Sequence, residues 1–114
     1  MLVYRIATEA KTYKADDLSG TGAKVDGGRW NSIGSPVLYT SPTIALAVLE
    51  TVVHIGSGGL PFNRYLVELK IPDAVWAVRK EVDHKKAPVG WDALPTGLTS
   101  IEFGDDWLKS MATV

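Results

Sequence analysis

A chain of 114 residues is the size of one domain, and its 46% hydrophobic and 22% charged residues are those of an ordinary globular protein. A net charge of -1 offers no basic field to a phosphate backbone, which argues against nucleic acid as the main partner. The absence of cysteine excludes a disulfide framework, a thiolate nucleophile and any cysteine-ligated metal, and it suits a reducing compartment.

The N-terminal "LVYRI", Leu2 to Ile6, alternates and predicts a strand, with Arg5 set among Val3, Tyr4 and Ile6. From Lys14 to Gly28 the chain reads as turns. "SPVLYT", Ser35 to Thr40, predicts a second strand, entered through Gly34 and opened by a proline. The clearest helix follows, with Ser41 as N-cap, Pro42 at the first helical position, "TIALAVLETVVHI", and Gly56 as the stop. "RYLVELKI", Arg64 to Ile71, alternates and predicts a strand, and "AVWAV", Ala74 to Val78, another. The remainder is loop-rich to Leu98 and helical around Asp105 to Lys109. No leader pattern opens the chain, and no apolar run approaches the roughly 18 residues of a membrane span, so the cytoplasm is the expected compartment and no membrane partner is expected. The elements together predict a mixed α+β domain.

Few residues invite a chemical reading. Unrolled at about 100° per residue, the predicted helix spreads Ile44, Ala45, Val48, Leu49, Val52 and Ile55 over one broad side. Thr43, Glu50 and His54 gather with Ala47 on a narrow arc. Glu50 and His54 are one turn apart, which fits either a solvated stripe with a weak ion pair or a carboxylate held in a cleft. Arg29 follows Gly27 and Gly28, where the backbone can approach a ligand closely. Its guanidinium suits bidentate contact with phosphate or carboxylate, but stacking on Trp30 or tying down a turn would explain it equally well. Tyr39 lies near the end of the predicted strand and runs into the Ser41 cap. His54 and His84 are too far apart for a zinc motif, so no metal site is expected. "SGTG" at Gly20 and Gly22 lacks the lysine and helix of a phosphate loop, and the "GSGG" run from Gly56 follows a helix, the wrong order for a dinucleotide turn.

Taken together, "YRI" at Tyr4 to Ile6, "LSGTGA" at Leu18 to Ala23, "GGRWNSIGSPVLYTS" at Gly27 to Ser41, "ALAVLETVVH" at Ala45 to His54 and "FGDDWL" at Phe103 to Leu108 resemble the RES domain toxins of bacterial Xre-RES toxin-antitoxin pairs. The order Arg29, Tyr39, Glu50 carries the likeness. The resemblance implies an ADP-ribosyltransferase-like fold, a split mixed or antiparallel sheet with flanking helices, formed by a single RES domain over residues 1–114. It also implies a toxin that depletes NAD by breaking the nicotinamide–ribose bond, with water, phosphate or a protein as acceptor. NAD would be a substrate, with no resident cofactor. Glu50, Arg29 and Tyr39 take the catalytic positions, and Arg5, Arg29 and Tyr39 the NAD-binding ones. The partner expected from the family is an Xre-type antitoxin, bound to a toxin homodimer, with no direct contact between toxin and DNA. The serine of the family's name belongs to a segment beyond "DDWL" that Ser110 does not match, so the sequence reads as a member lacking its C-terminal segment. Two other outcomes stay open at this stage: an inactive remnant that still binds antitoxin, and a protein ADP-ribosyltransferase.

Overall fold

Alternating side chains at both ends of the first 70 residues produce the sheet. In the computed structural model, which describes residues 1–55, 63–83 and 85–110 and the side chains of all but 53–55 of these, strand β1 spans Leu2–Thr8 and strand β2 spans Arg64–Lys70. They pair antiparallel, from Leu2 opposite Lys70 through Arg5 opposite Val67 to Thr8 opposite Arg64. Pro72, which has no N–H to donate, follows closely after β2. The pairing is continued beyond the strand end by Ile71, whose N–H donates to the Met1 carbonyl at 2.8 Å. Among the described residues four helices accompany the sheet in a small α+β architecture: α1 (Thr21–Asp26), α2 (Ile44–Ile55), α3 (Asp73–Ala77) and α4 (Leu98–Lys109). The predicted stop at Gly56, the glycines after it and His84 lie outside the described residues. The chain divides into two compact units, Met1–Leu18 with Tyr39–Asp73, and Ser19–Leu38 with Ala74–Val114.

In the first unit α2 packs against β1. Among the described side chains the buried residues of these two elements are small: Val3, Ala7 and Ala47. The helix therefore turns Ala47 inward, with Thr51 half-buried one turn on and Thr43 and Glu50 left exposed. Ala47 is 3% exposed, whereas Ile44 and Val48 on the broad apolar side are 45% and 44% exposed, and Leu49 and Val52 each 58%. Small side chains let helix and strand backbones come close, which the larger residues of the other side would prevent. The cap also differs from expectation. Thr43, not Ser41, closes the N-terminus: its Oγ1 accepts from the Leu46 N–H at 3.1 Å, and its carbonyl accepts from the Ala47 N–H at 3.2 Å. Ser41 is engaged elsewhere, exchanging two backbone hydrogen bonds of 2.8 and 2.7 Å with Tyr4 on β1.

That exchange is an isolated bridge, and no strand forms over Ser35–Thr40 as the alternation had predicted. Pro36 has no N–H for a ladder. Ahead of Tyr39 the chain follows the second unit instead: the backbone of Val37 lies against Gly20, where a Cβ would come within 2.6 Å of the Val37 nitrogen. Gly20 also has φ +71°, in the left-handed region, and it starts α1, a helix in a stretch that had read as turns. The predicted strand at Ala74–Val78 is also replaced, by α3. Five residues of mixed apolar character fit either period, and Asp73 in the first turn favours the helical dipole.

The second unit is organised by α4, which begins well before the predicted Asp105. Thr99, Ser100 and Gly104 are indifferent or poor helix formers, and tertiary contacts employ two of them. Ser100 and Gly104 are the buried residues of α4. Gly104 faces the backbone of Trp30 so closely that a Cβ would lie 2.6 Å from the Trp30 carbonyl carbon. The Trp30 ring is 6.1 Å from Trp91, tilted, and 6.0 Å edge-on from Phe103. Asp105 Oδ1 accepts from the Ser32 N–H at 3.0 Å. That hydrogen bond, a second from the Ser32 hydroxyl and weaker help from Lys109 hold the Asp105 carboxyl below its ordinary pKa against a small opposing effect of burial.

Two outcomes are expected from these contacts. Gly104→Ala should destabilise by about 2–4 kcal/mol in denaturant titrations, because overpacking against a fixed carbonyl outweighs the roughly 1 kcal/mol that alanine adds to a helix. The Asp105 carboxyl is more acidic folded than unfolded, so its contribution is complete above the ordinary carboxylate pKa near 4 and is lost as pH falls through the folded value. The stability advantage of wild type over Asp105→Asn should therefore shrink as pH falls below about 4, and a difference that stays constant on acidification would contradict the contact.

Candidate functional site

The Arg29 loop is built from short-range constraints. Helix α1 ends at Asp26, and Gly27, at φ +71°, donates its N–H to the Ala23 carbonyl at 2.8 Å. Gly28 donates to the Asn31 carbonyl at 3.0 Å, closing a tight loop with Arg29 and Trp30 at its tip. Asn31 fixes the base of this loop. It is 1% exposed, and its Nδ2 donates to the carbonyls of Ala23 at 2.8 Å and Ser35 at 2.9 Å, with a longer bond of 3.2 Å to Ser32. Such a buried amide replaces water at carbonyls that no ladder satisfies.

Arg29 is held at both ends. Its carbonyl accepts from Ser100 Oγ at 2.8 Å, and its Nη1 donates to the Ala93 carbonyl at 3.1 Å. The bond to Ala93 uses one of the five donors of the guanidinium fork. The Trp30 ring meets Trp91 and Phe103, and the arginine head reaches toward the segment leading into α4.

Arg5, Tyr39 and Glu50 belong to the first unit, Arg29 to the second. The bridge between Tyr4 and Ser41 brings the chain around Tyr39 to the middle of β1, so Arg5 is one residue from the bridge and Tyr39 two. Helix α2 leaves from the same point, three residues beyond Ser41, and carries Glu50 in its second turn. Arg5 is partly buried, and burial lowers its pKa from the ordinary value while Asp17 opposes the shift. Arginine remains charged regardless at physiological pH. Tyr39 is 40% exposed and Glu50 is exposed; both carry polar or ring contacts. An arginine, a phenol and a carboxylate thus lie along one strand–bridge–helix connection of the first unit. A guanidinium can hold an anionic group, an aromatic ring can stack on a planar one, and a carboxylate can stabilise a developing positive charge.

Asn31, Ser100 and Asp105 were not singled out from the sequence. Asn31 sits inside the conspicuous "GGRWNS" stretch, but an asparagine beside glycines reads as turn chemistry. Ser100 and Asp105 act over separations of 71 and 73 residues, which no local pattern encodes. An open depression of about 490 Å³ between the loop from Glu9 to Asp16 and β2 residues Tyr65–Glu68 includes none of the predicted site residues.

The RES domain family model matches residues 2–113 of the chain. Among similar proteins, "Prs ADP-ribosylating toxin" of Sphingobium sp. (strain YBL2) is 56% identical over 110 residues, covering 96% of this chain and 68% of that protein. "Toxin Res" of Photorhabdus laumondii subsp. laumondii is 36% identical over 109 residues, covering 96% of this chain and 67% of the other. "Toxin Res" of Yersinia enterocolitica is 32% identical over 114 residues, covering all of this chain and 72% of the other. The arginine, tyrosine and glutamate described above therefore stand in a protein that belongs to the RES domain toxin family.

Proposed function

We propose that this protein is an NAD-consuming toxin that cleaves the bond between nicotinamide and ribose. The observation that carries the reading is the 56% identity over 96% of the chain to a toxin named as ADP-ribosylating, since ADP-ribosyl groups are drawn from NAD by breaking that same bond. The corresponding fold reading is ADP-ribosyltransferase-like, and a small antiparallel sheet flanked by helices is compatible with it.

The chemistry suits the residue types. Nicotinamide departs with the bonding electron pair, which neutralises its ring, so the leaving group needs no proton. The positive charge passes to the ribosyl group, and the transition state is oxocarbenium-like. Glu50 stabilises that charge and fixes the ribose hydroxyls. Tyr39 stacks on the nicotinamide ring. Arg29 and Arg5 bind the pyrophosphate, whose oxygens match the guanidinium fork. A nucleophile then attacks the anomeric carbon, giving free ADP-ribose with water, ADP-ribose 1″-phosphate with phosphate, or a modified protein with a side chain. The relative's name favours the protein acceptor. NAD serves as substrate, with no resident cofactor. A protein antitoxin of the Xre type, bound over the NAD site of a toxin dimer, is the partner that fits relatives named as toxins.

Incubation of the purified chain with NAD, with and without phosphate, followed by mass spectrometry, tests the reading. Nicotinamide should appear with wild type and fall at least about 100-fold with Glu50→Ala, while the unfolding free energy shifts by no more than about 0.5 kcal/mol because Glu50 is exposed. Full activity in that variant, or loss of the fold, would sink the assignment. Stacking by Tyr39 predicts that Tyr39→Phe keeps its KM for NAD while Tyr39→Ala raises it roughly 2–10-fold, the equivalent of about 0.5–1.5 kcal/mol; equal effects of both substitutions would point to the hydroxyl instead.

A further inference from the structure

We propose that α4 is a positioning element for Arg29: Ser100, with Asp105, holds the arginine loop in the geometry that receives the anionic part of NAD. The proposal rests on the reading of Arg29 as an NAD contact and names the residues through which that contact is set.

Ser100 is fully buried, 0% exposed, and its hydroxyl donates to the carbonyl of Arg29 itself at 2.8 Å. One turn later Gly104 admits the backbone of Trp30, so residues four apart on one helix face touch consecutive residues of the loop. Asp105, the next residue, accepts the Ser32 N–H at 3.0 Å. Backbone groups at positions 29, 30 and 32 are thus all set by a single helix. The guanidinium end is set by the segment that leads into that helix, through the Ala93 carbonyl at 3.1 Å. An arginine fixed at its backbone and at its head presents its remaining donors in one plane, whereas a loop arginine without those holds samples many rotamers and loses them on binding. The expected consequence is on ground-state affinity for NAD, not on bond cleavage. Ser100 and Asp105 touch the loop and act through Arg29; they are positioning residues.

Ser100→Ala, Asp105→Ala and Asp105→Asn, beside Arg29→Ala, are compared with wild type in the full chain for nicotinamide release from NAD and for amide hydrogen exchange, with circular dichroism confirming the fold. Ser100→Ala and Asp105→Ala should each raise the KM for NAD roughly 5–20-fold with kcat within about threefold. Asp105→Asn should stay within about twofold of wild type, since an amide oxygen still accepts the Ser32 N–H. The Ser32 amide should exchange at least about tenfold faster in Asp105→Ala and unchanged in Asp105→Asn. Should Ser100→Ala fail to fold, the Asp105 pair carries the test alone, because that residue is not buried. If wild type cleaves NAD and Arg29→Ala weakens it, but Ser100→Ala and Asp105→Ala leave KM unchanged or lower kcat alone, the positioning role is overturned while the NAD reading stands. If wild type neither binds nor cleaves NAD, both fall.

Discussion

One contact without a side chain organises half of this protein. The carbonyl of Trp30 occupies the space in which any residue at position 104 other than glycine would place its Cβ. A glycine inside a helix costs about 1 kcal/mol relative to alanine, so local preference works against it, and the close approach of loop and helix outweighs that cost. Once the backbones are that near, short side chains span the gap. Ser100 reaches the carbonyl of Arg29 and Asp105 reaches the N–H of Ser32, while the Trp30 ring is left to pack with Trp91 and Phe103. Longer side chains on this face of α4 would push the loop away and leave its carbonyls without donors, a larger loss than any single bond is worth.

The first unit uses small residues in the same way. Among the described side chains Val3, Ala7 and Ala47 are its buried apolar residues on β1 and α2, and Glu50 stays exposed on the same helix. The carboxylate is therefore displayed by a helix whose orientation is set by alanine, not by its leucines and valines. Ser41 contributes by leaving the cap to Thr43 and binding Tyr4 instead. That one exchange ties the start of α2 to the centre of β1, one residue from Arg5 and two from Tyr39.

Chemically, the residue set suits a reaction in which little acid–base work is required. NAD arrives with its leaving group already cationic, so a protein that cleaves it must recognise an anion, hold a flat ring and offset charge on a sugar. In the proposed reaction arginine, tyrosine and glutamate suit those tasks on physical grounds. The relatives named as toxins give the proposed chemistry its context, because loss of NAD or modification of a target would be harmful without any further machinery.

Local signals in the chain were strong enough for α2 and β2, because a 3.6-residue or twofold pattern reports burial within a few residues of itself. Arg29, Tyr39 and Glu50 could be chosen as candidates for a related reason: a guanidinium beside two glycines, and a carboxylate among apolar residues, are conspicuous in one dimension. What the pattern could not reveal was which side of α2 turns inward, since its large apolar residues mark one side and close packing favoured Ala47 on the other. Nor could it exclude a strand at Ser35–Thr40, whose alternation is real but whose backbone lies against Gly20. Ser100, Gly104 and Asp105 were invisible as partners of the Arg29 loop, because their meaning lies in residues some 70 positions away. Residue type and spacing were thus enough to mark Arg29 and Glu50 as candidates, their chemistry being implied by the family resemblance, whereas the holding of Arg29 was decided by close approach between distant segments, which depends on the absence of side-chain atoms as much as on their presence.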